Sequence, residues 1–173
     1  KNRLWRKSCG VVMQDGFIFS DSIAKNIAIG DEIVDKTKLL QSVKVANIQG
    51  FVESLPLSYN TKIGGDGLGM SGGQMQRMLI ARSVYKDPEY LFFDEATSAL
   101  DANNEATIMG NLEEFFKGKT VVVVAHRLST VKNADQIIVL DKGQLIEQGT
   151  HEELAKLRGA YYRLVKNQLE LGN

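Results

Sequence analysis

The sequence predicts an α/β protein: a layer of parallel strands with a helical segment set into it. Three observations predict this. YLFFD (90–94) and TVVVVAH (120–126) carry runs of consecutive apolar residues rather than alternation, the pattern of strands buried on both faces of a parallel sheet. A helical pattern stands between them, giving the strand–helix–strand order of crossover units. Finally, the stretch from Ser20 to Asp87 is nearly all helical in its periodicity, so it reads as a helical subdomain inserted into the layer.

In chain order, CGVVMQ (9–14) is the first strand. SDSIAKNIAI carries apolar residues at 23, 24, 27 and 28, the helical interval, and KTKLLQSVKVANI repeats it. Pro56 and the glycines at 64, 65, 67 and 69 mark a long loop. GGQMQRMLIARSVYKD is the next helix, closed by Pro88, through which a helix does not readily continue. After YLFFD, NNEATIMGNLEEFFKG places residues 108, 109, 112, 115 and 116 on one face, with Gly118 as its stop. ADQIIVLDKGQLIEQG reads as a hairpin turning at Asp141-Lys142-Gly143. Thr150 and Glu153 form a capping box opening HEELAKL, and an amphipathic helix covers Tyr161 to Leu171.

Composition bounds the function. With 173 residues, 43% of them hydrophobic, and two prolines, the chain is globular rather than disordered. Lys plus Arg and Asp plus Glu balance at 21 each, which argues against a protein that coats nucleic acid. The single cysteine, Cys9, excludes an internal disulfide, suits a reducing compartment, and reads as a small buried hydrophobe before the run VVM. No apolar run approaches the roughly 20 residues of a membrane-spanning helix. The chain opens on Lys1 rather than methionine, so it is expected to be a piece of something longer.

GLGMSGGQMQR (67–77) looks like a place for a phosphate. Gly72 and Gly73 have no Cβ to hold a ligand off, and a helix N-terminus presents free N–H groups to an anion. Ser71 and Gln74 have the spacing of a capping box. Yet no lysine follows, and the phosphate loop G-x-x-x-x-G-K-[ST] is absent from the chain. The site reads as half of one.

YLFFDEATSALD carries the other half of the chemistry. A buried strand ending in Asp94-Glu95 puts two carboxylates at its C-terminal tip, beyond which ligands of open α/β sheets bind. An aspartate there can hold Mg²⁺, which prefers oxygen and keeps several waters, while the adjacent glutamate can orient or deprotonate an attacking water. His126 ends the second apolar strand, where it can donate to a phosphate oxygen, and Gln14 ends the first, where it can reach the same metal or water. His151, just inside a helix, reads as a solvated surface residue.

In order, VMQD, MSGGQ, FFDE, SALD and AHR resemble the nucleotide-binding domain of ATP-binding cassette (ABC) proteins, over essentially the whole chain. The resemblance implies a RecA-like P-loop NTPase core, three-layered with a mostly parallel sheet and an inserted helical subdomain, its N-terminal part missing. It divides the chain into core strand and Q-loop at 1–19, helical subdomain with the signature motif at 20–87, and the rest of the core at 88–173. Gln14 becomes the Q-loop glutamine, on ATP and metal. Ser71, Gly72, Gly73 and Gln74 belong to the signature motif, with Met70 where leucine is usual. Asp94 becomes the Walker B aspartate on ATP and Mg²⁺, Glu95 the catalytic glutamate and His126 the catalytic switch histidine. Ser98 to Asp101 become the D-loop, Asp101 at the nucleotide.

FIFSDSIAKNI followed by HRLSTVKNADQIIVLDKGQLIEQGTHEEL is similar to exporters whose membrane domain precedes the ATP-binding domain, most of all bacterial exporters of peptides, bacteriocins or lipids. Gly65-Asp66 departs from the glutamate that many of them carry directly before the signature loop. The resemblance implies a transport ATPase using ATP and Mg²⁺ at the cytoplasmic face of the inner membrane. Its partners are a second nucleotide-binding domain, paired head to tail, and a transmembrane domain met by Phe17, Ile18 and Phe19; nucleic acid is not among them. The phosphate loop would come from the missing front, so the isolated chain is expected to be inactive. Two other readings stand beside this one: a soluble ABC ATPase, and a non-catalytic fragment that binds a partner domain.

Overall fold

The computed structural model describes residues 2–97, 99–125 and 127–170. They form two compact units, Lys1–Val124 and Ala125–Asn173.

In the first unit, helix α1 (Asn2–Ser8) leads into strand β1 (Cys9–Val12), so the strand ends two residues short of Gln14. The sequence pattern does not single out α1; its Trp5 ring meets Tyr90 at 4.7 Å, tilted by 45°. Strand β2 (Asp21–Ser22), helix α2 (Ile23–Ile27), helix α3 (Lys36–Val45) and helix α4 (Gln49–Ser54) follow. Strand β3 (Lys62–Ile63) then pairs antiparallel with β2. Neither α4 nor the β2–β3 ribbon is legible as a periodic signal, because two paired residues are too few to alternate.

Helix α5 (Gly72–Lys86) stops at Asp87, which is left-handed (φ 48°), before Pro88. Strand β4 (Tyr90–Asp94), helix α6 (Ala102–Phe116) and strand β5 (Thr120–Val124) complete the unit. The sheet order is β1-β4-β5, all parallel, as the apolar strands require.

The two faces of this sheet differ. Val12, Leu91 and Phe93 point into the core, where the Phe93 ring meets Phe116 of α6 edge-on at 5.5 Å. One buried cluster runs from Val12 through the helices of residues 23–84 to Ile108 and Leu112, so residues 20–87 share a core with the sheet. On the opposite face, Val11, Val122 and Val124 are 56%, 47% and 52% exposed. The expectation of burial on both faces is corrected at these three valines, while Tyr90 and Phe92 beside them on the same face are half-buried. Apolar composition tells that a face is built for burial, not what buries it.

The second unit holds helix α7 (Leu128–Val131), strand β6 (Ile137–Asp141), strand β7 (Gln144–Gly149), helix α8 (His151–Leu157) and helix α9 (Ala160–Glu170). β6 and β7 form the expected hairpin, joined at Lys142 and Gly143, both with positive φ. Ile137, Val139, Leu154, Tyr161 and Val165 make its core. The Glu147 carboxylate accepts from the N–H groups of Ala160 and Tyr161, capping α9 and holding its own pKa below the usual range. His151 is not a free surface residue: its Nδ1 lies 2.8 Å from the buried Tyr161 hydroxyl. Leu171 lies outside the described residues.

Candidate functional site

The start of α5 is built locally. Ser71 is its N-cap: the Oγ accepts from the Gln74 N–H at 3.2 Å, and the Gln74 Oε1 accepts from the Ser71 N–H at 2.9 Å. These reciprocal bonds satisfy two of the helix's unpaired ends and leave the remaining first-turn N–H groups to another acceptor. Gly73 has a packing reason as well. A Cβ there would stand 3.3 Å from the carbonyl oxygen of Ala99, tighter than side chains normally tolerate, so the glycine lets α5 close on residues 99–100. At Gly72 a Cβ would meet only the Ala99 methyl, at an ordinary 3.6 Å.

The tip of β4 is built by the fold. Asp94 is the strand's last residue and its carboxylate is exposed. Glu95 follows with φ 47°, a left-handed conformation that non-glycine residues adopt rarely and that concentrates where function over-determines the backbone. Its N–H donates to the Val124 carbonyl at 3.0 Å, so β5 fixes the first peptide beyond the strand. The Leu100 N–H donates to the Thr97 carbonyl at 3.0 Å, turning the chain back toward α6. Asp101 caps α6: its Oδ1 accepts from the Asn104 N–H at 2.9 Å and its Oδ2 from the Asn104 amide at 2.6 Å. Those bonds favour the carboxylate and hold Asp101 below the usual aspartate pKa. Beneath the turn, the Thr97 hydroxyl donates to Glu105, and both side chains are buried.

The fold places the described site residues in two groups. Gln14 lies exposed in the turn after β1, and Asp94 ends the adjacent parallel strand, so both stand at the same C-terminal sheet edge. Ser71, Gly72 and Gly73 begin the helix that packs on Ala99 and Leu100, next to Asp101. Ser98 and His126 lie outside the described residues. Sequence reading missed Gln76, which is 3% exposed on α5 and bonded to the turn after β4. A second glutamine so close to the first carries no signal of its own.

The Phe17–Phe19 segment is held from behind. Asn26, buried, accepts from the Phe19 N–H at 2.8 Å and donates to the Phe19 carbonyl at 3.0 Å. The Arg82 guanidinium donates to the Phe17 and Asn26 carbonyls, both at 2.8 Å, and burial pushes its pKa down. Braced this way, Phe17 and Phe19 stay 68% and 48% exposed while Ile18 turns inward. Their rings meet edge-on at 5.1 Å.

No described cluster of three or more His, Cys, Asp or Glu can enclose a metal. An ion at this edge would therefore take one or two oxygens from Asp94 and Gln14, with the remainder from water and phosphate. Mg²⁺ accepts that arrangement, so the residues fit it. A groove of about 440 Å³ lies elsewhere, between α3, α5 and α6, and is lined by residues such as Lys38, Tyr85, Asn111 and Lys119. It takes nothing from 71–74 or 90–101.

A parallel sheet with carboxylates at its C-terminal edge, and a capped glycine helix start, define the class as an α/β protein of the open-sheet type, in which ligands bind beyond that edge. The family profile described as ABC transporter matches residues 1–98, and the chain belongs to that family. It is 48% identical over 166 residues to the toxin RTX-I translocation ATP-binding protein of Actinobacillus pleuropneumoniae, covering 95% of this chain and 24% of that protein. Against the alpha-hemolysin translocation ATP-binding protein HlyB of Proteus vulgaris the identity is 50% over 149 residues, 86% of this chain and 21% of the relative. The structure matches a bacterial Atm1-family ABC exporter solved with ATP bound, with TM-score 0.89 and 40% identity, over 95% of this chain and 29% of that one. The chain thus spans about a quarter of the length of these relatives. The RecA-like α/β fold expected from the motifs is the fold it has.

Proposed function

We propose that this chain is the catalytic and signature-bearing part of an ATP-hydrolysing domain that powers export across a membrane. Glu95, held left-handed at the tip of β4 beside the exposed Asp94, is the observation that carries the reading. Asp94 and Gln14 would hold a Mg²⁺ ion, which would neutralise charge on the phosphates of ATP; Glu95 would orient and deprotonate the attacking water, and His126 would steady the terminal phosphate. Ser71, Gly72, Gly73 and Gln74 meet nucleotide held by a second, head-to-tail domain, and Asp101 lies at the same junction. This explains a phosphate site without a lysine: the phosphate loop belongs to another polypeptide segment. The chain's similarity to translocation ATP-binding proteins and to an exporter supports the export role.

The exposed pair Phe17 and Phe19 meets the transmembrane domain at the cytoplasmic face of the membrane. No described helix is itself long and apolar enough to cross one. ATP and Mg²⁺ are the cofactors.

Phosphate release with Mg-ATP tests the reading. The isolated 173-residue chain is expected to show no turnover. In the full polypeptide, Glu95→Gln is expected to lower turnover by about 10²–10⁴-fold, the usual contribution of a general base, and to leave ATP binding intact. Turnover near the wild-type rate in that variant would remove Glu95 as the base.

A further inference from the structure

We propose that Gln76 is a positioning residue for hydrolysis: from the second turn of α5 it clamps both ends of the turn that carries Glu95. The inference rests on the reading of Glu95 given above and deepens it.

Gln76 is 3% exposed, and a buried amide needs both of its ends paired. Its Nε2 donates to the Glu95 carbonyl at 3.1 Å, and its Oε1 accepts from the Ala99 N–H at 3.0 Å. One side chain thus binds the first residue of the turn through an acceptor and the fifth through a donor. The Glu95 N–H is already taken by Val124, so the peptides on both sides of Glu95 are fixed. Together these bonds hold Glu95 in a conformation its own backbone disfavours, with φ 47°.

A base must stand within hydrogen-bond reach of the proton it takes, and small misplacements are costly in rate. Releasing the Glu95 carbonyl lets the residue relax toward ordinary backbone angles and swings its carboxylate away. The same side chain ties the turn to α5, whose N-cap and first residues are Ser71 to Gln74. The helix that meets the partner's nucleotide and the turn that bears the base therefore form one piece.

The test compares steady-state hydrolysis, ATP binding and thermal unfolding in the full polypeptide for Gln76→Leu and Gln76→Glu. The leucine variant removes both bonds at similar volume. The glutamate variant keeps the acceptor toward Ala99 and loses the donor toward Glu95 at neutral pH. Positioning predicts that kcat falls at least tenfold in Gln76→Leu and several-fold in Gln76→Glu, with KM for ATP and binding within twofold of wild type and cooperative unfolding retained. Wild-type kcat in either folded variant overturns the proposal. So does a kcat loss that only tracks lost ATP binding or lost folded protein, and so does failure of both variants to fold. Glu95→Gln measured in parallel separates the two claims: if it keeps turnover, the base is misassigned whatever Gln76 does.

Discussion

At the start of α5, Ser71 and Gln74 hold each other across three residues, through bonds the helix would make in any surroundings. At the tip of β4, Glu95 is held by Val124 from the neighbouring strand and by Gln76 from a helix earlier in the chain, in a left-handed conformation with φ 47°. The first region is locally encoded, and the second is imposed by tertiary structure. The difference teaches where each is vulnerable. A local cap survives loosening of the core beneath it, whereas an imposed turn is only as firm as the packing that imposes it.

The largest expected effect tests that dependence. Leu91 is fully buried beneath the tip, on the packed face of β4. Leu91→Ala should cost about 2–5 kcal/mol in urea unfolding, the range for large-to-small changes in a core. Ser71→Ala, which removes only a cap, should cost about 1 kcal/mol. Equal costs would break the contrast.

The smallest effect sharpens it, because Asp101 is a local cap belonging to the β4 side. Its bonds to Asn104 lower its folded pKa. A depressed carboxylate contributes stability that is present above its unfolded pKa and is lost as pH falls through the folded one. Carboxyl-carbon NMR should therefore find Asp101 titrating below an ordinary aspartate, and Asp101→Asn should flatten that acid limb. A midpoint at or above the ordinary value would show that the cap does not hold in solution.

The same division decides what could be read from the sequence. Ser71–Gln74 and Thr150–Glu153 announce their capping boxes, and both form. The strands YLFFD and TVVVV announce themselves by four consecutive apolar residues with no alternation, and both pair as expected. Asp94 and Glu95 were legible as carboxylates at a strand tip, but the left-handed turn at Glu95 was not, since nothing in ATSA marks it. Gln76 was invisible because its partners are backbone atoms, which no side-chain pattern reveals.

The central claim is that this chain supplies the base of one nucleotide site and the signature loop of another. Two variants of the full polypeptide, Ser71→Arg and Glu95→Gln, would each be inactive as symmetric pairs. Co-expressed with different affinity tags and captured on both in sequence, they give mixed pairs. In such a pair one site combines an intact Glu95 with an intact Ser71, and the other site carries both changes. Phosphate release from mixed pairs should recover to about half the wild-type rate, because one of two sites is whole. If mixed pairs stay as inactive as either parent, the signature loop and Glu95 do not act at separate sites, and the account fails.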